Sequence, residues 1–412
     1  MPSSMDTFDA ALKNRHYDKK DFVEQLRYGK RTLLGLLRKS GDTGMVGRQT
    51  PVPIIYGNPQ GVGSTFATAQ AAATNILPEE FNVKAGKYYG VVEIGDMVMK
   101  ASRTNAGAFL SNKMAEIDGL NEQMAESLSI HLWGNGGGAL GKVAAIDTNT
   151  ITLTTTGEAS NFEPGMTVVA GANDGSDEAH TLRVGSTTIV SVNPGANVIV
   201  VDDATDITSL TQGDYLFRAS DFGGANSELP IRGIQCYVWH NDSPPTLWGV
   251  SNTLRAAYPH LLAGCRLPAS VLNGRGMEER IRLLGAYMTS VFKSDEFDAG
   301  FLNPLDWVAL ETSLQSKGVS SMKDESTKFG YRKIDWGGVP IYKDRHVPVG
   351  HFFGLTLKHL WLSSLDEFIH VQNGDGLTML RKANSTDYEY RLISYPGLCC
   401  NKPLALGRVP IA

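Results

Sequence analysis

NAGAFLSNKMAEIDGLNEQMAESLSIHLWGNGGGALG, residues 105–141, holds the most regular pattern in the chain and its sharpest break. Leu110, Met114, Ile117, Leu120, Met124, Leu128 and Leu132 recur every three or four residues, close to the 3.6-residue period of an α-helix. Lys113, Glu116, Asp118, Glu122 and Glu126 fall on the opposite, polar face. A helix over 105–133 would be roughly 40 Å long at its rise per residue, the length of a spine packed against a sheet. It stops at the glycine-rich run Gly134–Gly141. Gly136-x-Gly138-x-x-Gly141 fits the dinucleotide fingerprint, and Gly136-x4-Gly141-Lys142 nearly spells a P-loop. Both motifs need a strand before the loop and a helix after it, so that phosphate meets a helix N-terminus. Here the order is reversed, and Val143 stands where the P-loop needs a hydroxyl. The run reads as a hinge.

Beyond the hinge the composition changes. Residues 142–218 are rich in Thr, Val, Gly, Asp and Asn and carry two similar halves. Val143-Ala-Ala-Ile146-Asp147 leads through Ile151–Leu153 to Phe162-Glu-Pro-Gly165. Ile189-Val-Ser-Val192-Asn193 leads through Val198–Val200 to Leu210-Thr-Gln-Gly213. A duplicated hairpin unit folded into a small barrel or sandwich is expected, as an inserted all-β domain. Upstream, 49–100 reads as an extended hairpin loop punctuated by Pro51, Pro53 and Gly57, with a small Ala-rich helix over 65–74 and a β-branched stretch over 88–99. Residues 1–48 read as a polar arm followed by a helix, opened by Asp21 with Glu24 as its capping-box partner.

Downstream, 219–298 connects through short strands near Trp239 and Trp248 to a helix over Met277–Val291. Ala299–Leu302 is a strand running straight into a helix with Asn303 as N-cap and Pro304 at N1, ending at Gly318. The rest, to residue 412, is mostly strand.

With 42% hydrophobic residues the 412-residue chain can bury a sizeable core. Charged residues are 20% and the net charge is -5, which argues against a dedicated nucleic-acid binder. The basic segment Lys13–Lys39 reads as a solvated helix face, with a contact to nucleic acid or an acidic neighbour as the alternative. Cys236, Cys265, Cys399 and Cys400 lack metal-site spacing and read as reduced core residues. Neither a secretory signal nor a membrane-spanning run is apparent, so no membrane partner is expected. No HxH, HExxH or G-x-S-x-G pattern occurs. His346 and His351 read as a surface turn, Asp174, Asp177, Glu178 and His180 as a solvated turn before a cation site, and Asp202, Asp203 and Asp206 as another turn. The expectation is no catalytic residue, no metal ligand and no cofactor.

Three stretches resemble the major capsid proteins of tailed bacteriophages. AGFLNPLDWVALETSLQSKG (299–318) resembles the strand, "NP" and helix of that family's axial domain. GGVPIYKDRHVPVGHFFGL (337–355) is similar to its strand, loop and return, and TDYEYRLISYPGL (386–398) to its late peripheral-domain strand. The resemblance implies an α+β phage major-capsid fold, shared with encapsulins. Its parts would be an N-terminal arm and helix (1–48), an extended hairpin loop (49–100), a spine helix of the peripheral domain (101–141), an insert (142–218), a peripheral/axial connection (219–298), an axial domain (299–350) and return strands (351–412). It implies a non-enzymatic homo-oligomer of hexamers and pentamers forming an icosahedral virion shell, assembled in the host cytoplasm. Its partners would be portal, scaffolding and decoration proteins, and packaged double-stranded DNA held by weak contacts. The alternatives are an encapsulin-like cargo compartment and a hydrolase with a β-rich accessory domain.

Overall fold

The computed structural model describes residues 31–41, 45, 47–96, 106–176, 182–222, 231–316, 333–336, 338–365, 368–372, 379–382 and 387–411. The expected arm over 1–20 and the capping box at Asp21 lie outside them. Helix α1 (Thr32–Leu36) buries Leu33 and Leu34, and strand β1 (Arg38–Gly41) follows. Strands β2 (Gln49–Gly57) and β3 (Leu77–Lys84) form a two-stranded antiparallel hairpin, with the short helix α2 (Phe66–Ala71) between them. Strand β4 (Tyr88–Ile94) leads on to α3 (Ala106–Trp133), the long helix, about 42 Å at 28 residues. Gly90 is where α3 crosses β4. A Cβ there would come 3.0 Å from the Leu120 side chain, so glycine sets the approach.

Six short strands follow: β5 (Ala139–Asp147), β6 (Thr150–Leu153), β7 (Thr167–Gly171), β8 (Thr187–Asn193), β9 (Val198–Val201) and β10 (Tyr215–Arg218). They close into a barrel in the order β10-β5-β6-β9-β8-β7. The two sequence halves, β5–β7 and β8–β10, exchange their last strands, so β7 pairs with β8 and β10 with β5. Individual bonds repeat as well. Val143 N donates to Asp214 O at 2.8 Å, as Ile189 N does to Met166 O at 2.9 Å. Asn149 Oδ1 accepts from Ala204 N, as Asn197 Oδ1 accepts from Ala159 N. The barrel has its own apolar centre, including Val143, Ile151, Phe162, Ile189, Ile199 and Leu216. Its first strand begins at Ala139, within the glycine run.

The 231–252 segment corrects the sequence reading. It holds a helical turn at Ile234–Tyr237 and a single bridge between Leu247 and Val250, not strands. Trp239 is buried and Trp248 packs at the core margin, and tertiary packing gives these apolar residues a compact turn. Further short turns precede β11 (Cys265–Arg266), then α4 (Met277–Ser290), β12 (Ala299–Leu302) and α5 (Pro304–Ser316). The last third supplies β13 (Lys333–Trp336), β14 (Val339–Lys343), β15 (His351–Leu355), β16 (Leu360–Ser364), β17 (His370–Val371), β18 (Leu380–Arg381), β19 (Tyr388–Ser394), β20 (Pro396–Cys400) and β21 (Leu406–Pro410).

A six-stranded mixed sheet runs β11-β21-β15-β12-β14-β13. Alternation along each strand sends neighbours to opposite faces. Leu302, Phe352, Ile341 and Val409 meet α4 and α5 on one face. Phe301, Phe353 and Leu355 meet the end of α3 on the other, where Trp133 lies 5.4 Å and 5.3 Å from the rings of Phe301 and Phe353. Two smaller sheets complete the architecture: β1-β16-β20, and β19 flanked by β4 on one side and β17 and β18 on the other. The result is a mixed α+β chain with several sheets.

Candidate assembly surfaces

The base of the β2–β3 hairpin is held firmly. Val52, Ile54, Phe81 and Val83 are buried in the main core, and Asn82 N donates to Trp248 O at 2.9 Å. The outer half is different. Ile55, Val62, Phe66, Ile76 and Leu77 are 45–86% exposed. No residue of α2 is buried, and that helix is stabilised by its own capping box, in which Thr65 and Thr68 exchange bonds. The strands satisfy each other's backbone, so the hairpin holds its shape while its apolar side chains stay in water. Exposed apolar side chains gathered on one hairpin make it a candidate interaction surface. On β4, Tyr89 and Val91 alternate outward, 61% and 51% exposed, along a strand whose one described partner is β19.

The N-terminal segment is fastened by buried charges. Arg31, 3% exposed, donates Nε to Glu126 Oε2 at 3.1 Å and Nη2 to Glu122 Oε1 at 2.8 Å. Arg345 also bonds Glu126 Oε1, and His346 Nε2 lies 3.5 Å from the same oxygen. Burial alone would raise the Glu126 pKa. The hydrogen bonds and charges of His346 and Arg345 overcome it and hold the carboxyl at about 2. Beside this cluster Thr32 Oγ1 donates to Lys343 O at 2.7 Å and Leu33 N to Asp344 Oδ2 at 3.1 Å. Three sequence expectations are corrected here. Arg31 is not on a solvated face, Glu126 is not on the outer face of its helix, and the His346 side chain, although it stands in the expected turn, is only 3% exposed. Each was misplaced because its partner is remote in sequence.

The "NP" helix start and the Pro/Gly loop belong to one joint. Asn303 Oδ1 accepts from Leu305 N at 3.1 Å, capping α5, while its Nδ2 donates to Val347 O at 2.9 Å. Gly350 N donates to Asp306 Oδ2 at 2.8 Å. A second joint, unread in the sequence, fixes the end of α3. The Tyr88 hydroxyl accepts from Ile231 N and bonds His131 Nδ1 at 2.8 Å. Burial pushes the His131 pKa down, with Asp221 opposing.

The glycine hinge holds a neighbouring loop. A Cβ on Gly137 would come 1.8 Å from Asp174 O, so the chain at 174–176 fills the space in front of the run. Asp174 is bound by Asn135 Nδ2 at 2.6 Å and Ser176 Oγ at 2.6 Å, while Asp177, Glu178 and His180 lie outside the described residues. Asp203 caps a short 3-10 turn. All four cysteines are buried and free, and burial pushes their thiols up to about 11 or 12. Among the described residues no group of three His, Cys, Asp or Glu side chains stands close enough to hold a metal ion, and no helix is long and apolar enough to cross a membrane.

No family model and no curated protein matches the chain. Solved structures do. Their printed names are those of a cyanophage capsid, other phages, capsids of a GTA particle, an encapsulin and a virus-like particle. The capsid asymmetric unit of cyanophage A-1(L) is similar over 93% of each chain, at 11% identity and a TM-score of 0.48. An encapsulin complex from Synechococcus elongatus is similar over 98% of this chain and 95% of its own, at 12% identity and 0.46. A virus-like particle from Pyrococcus furiosus is similar over 96% and 99%, at 9% and 0.40. Likeness at this level describes the chain; what it does has to be argued from its own surfaces.

Proposed function

We propose that this chain is a structural subunit that self-assembles, through pentamers and hexamers, into an icosahedral viral capsid around double-stranded DNA. The observation that carries the reading is the β2–β3 hairpin, a projection whose outer apolar residues find no cover among the described residues of their own subunit. Each such side chain is worth about 1.5–3 kcal/mol when buried, so five offer on the order of 10 kcal/mol before the cost of association. One contact of that size is weak. A closed ring or shell, in which every copy both gives and receives it, is stable. The resemblance of 299–318, 337–355 and 386–398 to phage capsid stretches points the same way. Portal, scaffolding and decoration proteins are the partners this reading implies, and the virion, assembled in the host cytoplasm, is its place.

The test is electron microscopy of the purified full chain, alone and with a scaffolding protein, followed by nuclease treatment of any particles. Closed shells that protect DNA are expected. A chain that stays a compact monomer under all conditions would refute the proposal. Shells that hold protein cargo and no nucleic acid would move the assignment to an encapsulin-like compartment.

A further inference from the structure

A cleft of about 660 Å³ opens between the turn at 240–242, the segment 259–272 and the ends of β15 and β21. Its polar lining is dominated by cationic and imidazole groups: Arg408, Arg266, His351, His240 and His260. Arg408 is 8% exposed. It donates Nη1 to Gln235 Oε1 at 3.3 Å and Nε to His351 Nδ1 at 3.4 Å, and its guanidinium lies over the Phe353 ring at 5.4 Å. All three partners are neutral, and among the described residues no carboxylate pairs with it. Arg31 is paired with Glu122 and Glu126, and Arg255, a third buried guanidinium, differs again. It is wholly enclosed and spends its donors on the backbone carbonyls of Leu262, Pro245 and Cys236.

One carboxylate, Asp242, lines the cleft and another, Asp174, lies outside its lining, and neither pairs with Arg408. Asp242 is 96% exposed and bonds Arg266 at 2.6 Å. Asp174 is engaged by Asn135 and Ser176. A buried guanidinium without a counter-charge is costly, and such groups in a cleft mark functional sites. Because His351 Nδ1 accepts from Arg408, its proton sits on Nε2. The ring is then a second potential donor beside the guanidinium.

We propose that this cleft is an oxyanion site that takes a phosphate group, bound by Arg408, Arg266 and His351. Asp242 already pairs with Arg266, so the uncompensated charge in the cleft is that of Arg408; with the N–H groups of Arg266 and the neutral imidazole of His351 beside it, the cleft offers several donors to one anion, which suits the several acceptor oxygens of a phosphate. Arg408 is 8% exposed in a cleft of about 660 Å³, which fits the phosphate of a small molecule better than the backbone of a DNA duplex. The phosphate is therefore free or carried by a mononucleotide.

The experiment titrates the full-length chain with inorganic phosphate by calorimetry and thermal shift, against sodium chloride at equal ionic strength. Parallel titrations use a deoxynucleoside monophosphate and glutamate. Saturable binding and stabilisation by phosphate, absent with chloride, are expected. Arg266→Gln and His351→Gln line the cleft without anchoring the core, and each should weaken phosphate binding about tenfold or more, the loss of one charge-assisted bond. Arg408→Met should abolish it, and the other two variants keep the test valid if that one fails to fold. A nucleotide binding at least tenfold tighter than phosphate assigns the nucleotide as source; equal binding assigns free phosphate. Chloride matching phosphate, glutamate binding in its place, or unchanged affinity in both cleft variants would overturn the proposal. Binding is read on the chain whether or not shells form, so it stands or falls apart from the capsid reading.

Discussion

Glu126 shows how much one carboxylate can hold. It joins Arg31 before α1, its own helix, and Arg345 and His346 after β14. Its folded pKa is about 2 against an ordinary 4.5, so the stability it contributes is fully present above about pH 4.5 and is lost as pH falls toward 2. Glu126→Gln leaves the buried Arg31 without full compensation and should cost about 3–5 kcal/mol at pH 7. Urea denaturation at pH 7 and pH 3 checks this. The gap between wild type and variant should narrow at the lower pH, and a gap independent of pH would show that the carboxylate charge is not what matters. None of this was legible in the sequence. The acidic face of α3 looks solvated because the partners of Glu126 lie 95 and 219 residues away. Asn303 was legible, because an N-cap is a local event with its partner two residues on.

At the scale of elements, the hairpin and the barrel make opposite demands. Val62→Asp with Phe66→Asp changes two residues that are 86% and 82% exposed. The subunit's own stability should shift by no more than about 0.5 kcal/mol, the usual range for surface changes. Assembly, followed by sedimentation, should fall sharply. Assembly at the wild-type level would remove the hairpin as a contact element. The barrel closes on itself, and Phe217 stands opposite Ala139 in register, so the chain enters and leaves at neighbouring positions. Its apolar centre is separate from the main core. Replacing 142–218 by a short Gly/Ser linker should therefore leave the remainder folded, with a cooperative thermal transition. Loss of that transition would show that barrel and main core fold as one unit. The repeat within the barrel was readable because each half keeps its own strand and turn residues. The exchange of β7 and β10 between halves was not, since either pairing suits the same alternation.

For the whole molecule, the proposal is that much of the fold's apolar bookkeeping closes only between copies. Among the described residues, the six-stranded sheet is covered on both faces within one chain, while the hairpin tip and the outer face of β4 are not. Amide exchange tests this directly. In the unassembled chain, residues 58–76 should exchange quickly, because little tertiary packing protects them. In assembled shells the same amides should slow at least tenfold, while those of β12 and β15 stay equally slow in both states. Unchanged exchange at 58–76 would place the subunit contact elsewhere.

The sequence by itself determined what rests on short-range periodicity and turn chemistry. That covers the long helix and its glycine stop, the β character of 142–218, the capped start of α5, and the resemblance of three C-terminal stretches to a capsid family. Tertiary structure alone decided where charge could be buried and which apolar surface stayed open. The Glu126 cluster, the Tyr88–His131 joint, the filled space before Gly137 and the cationic cleft around Arg408 each bring together groups that are far apart along the chain. Their energies come from desolvation and close packing, which a linear pattern does not encode.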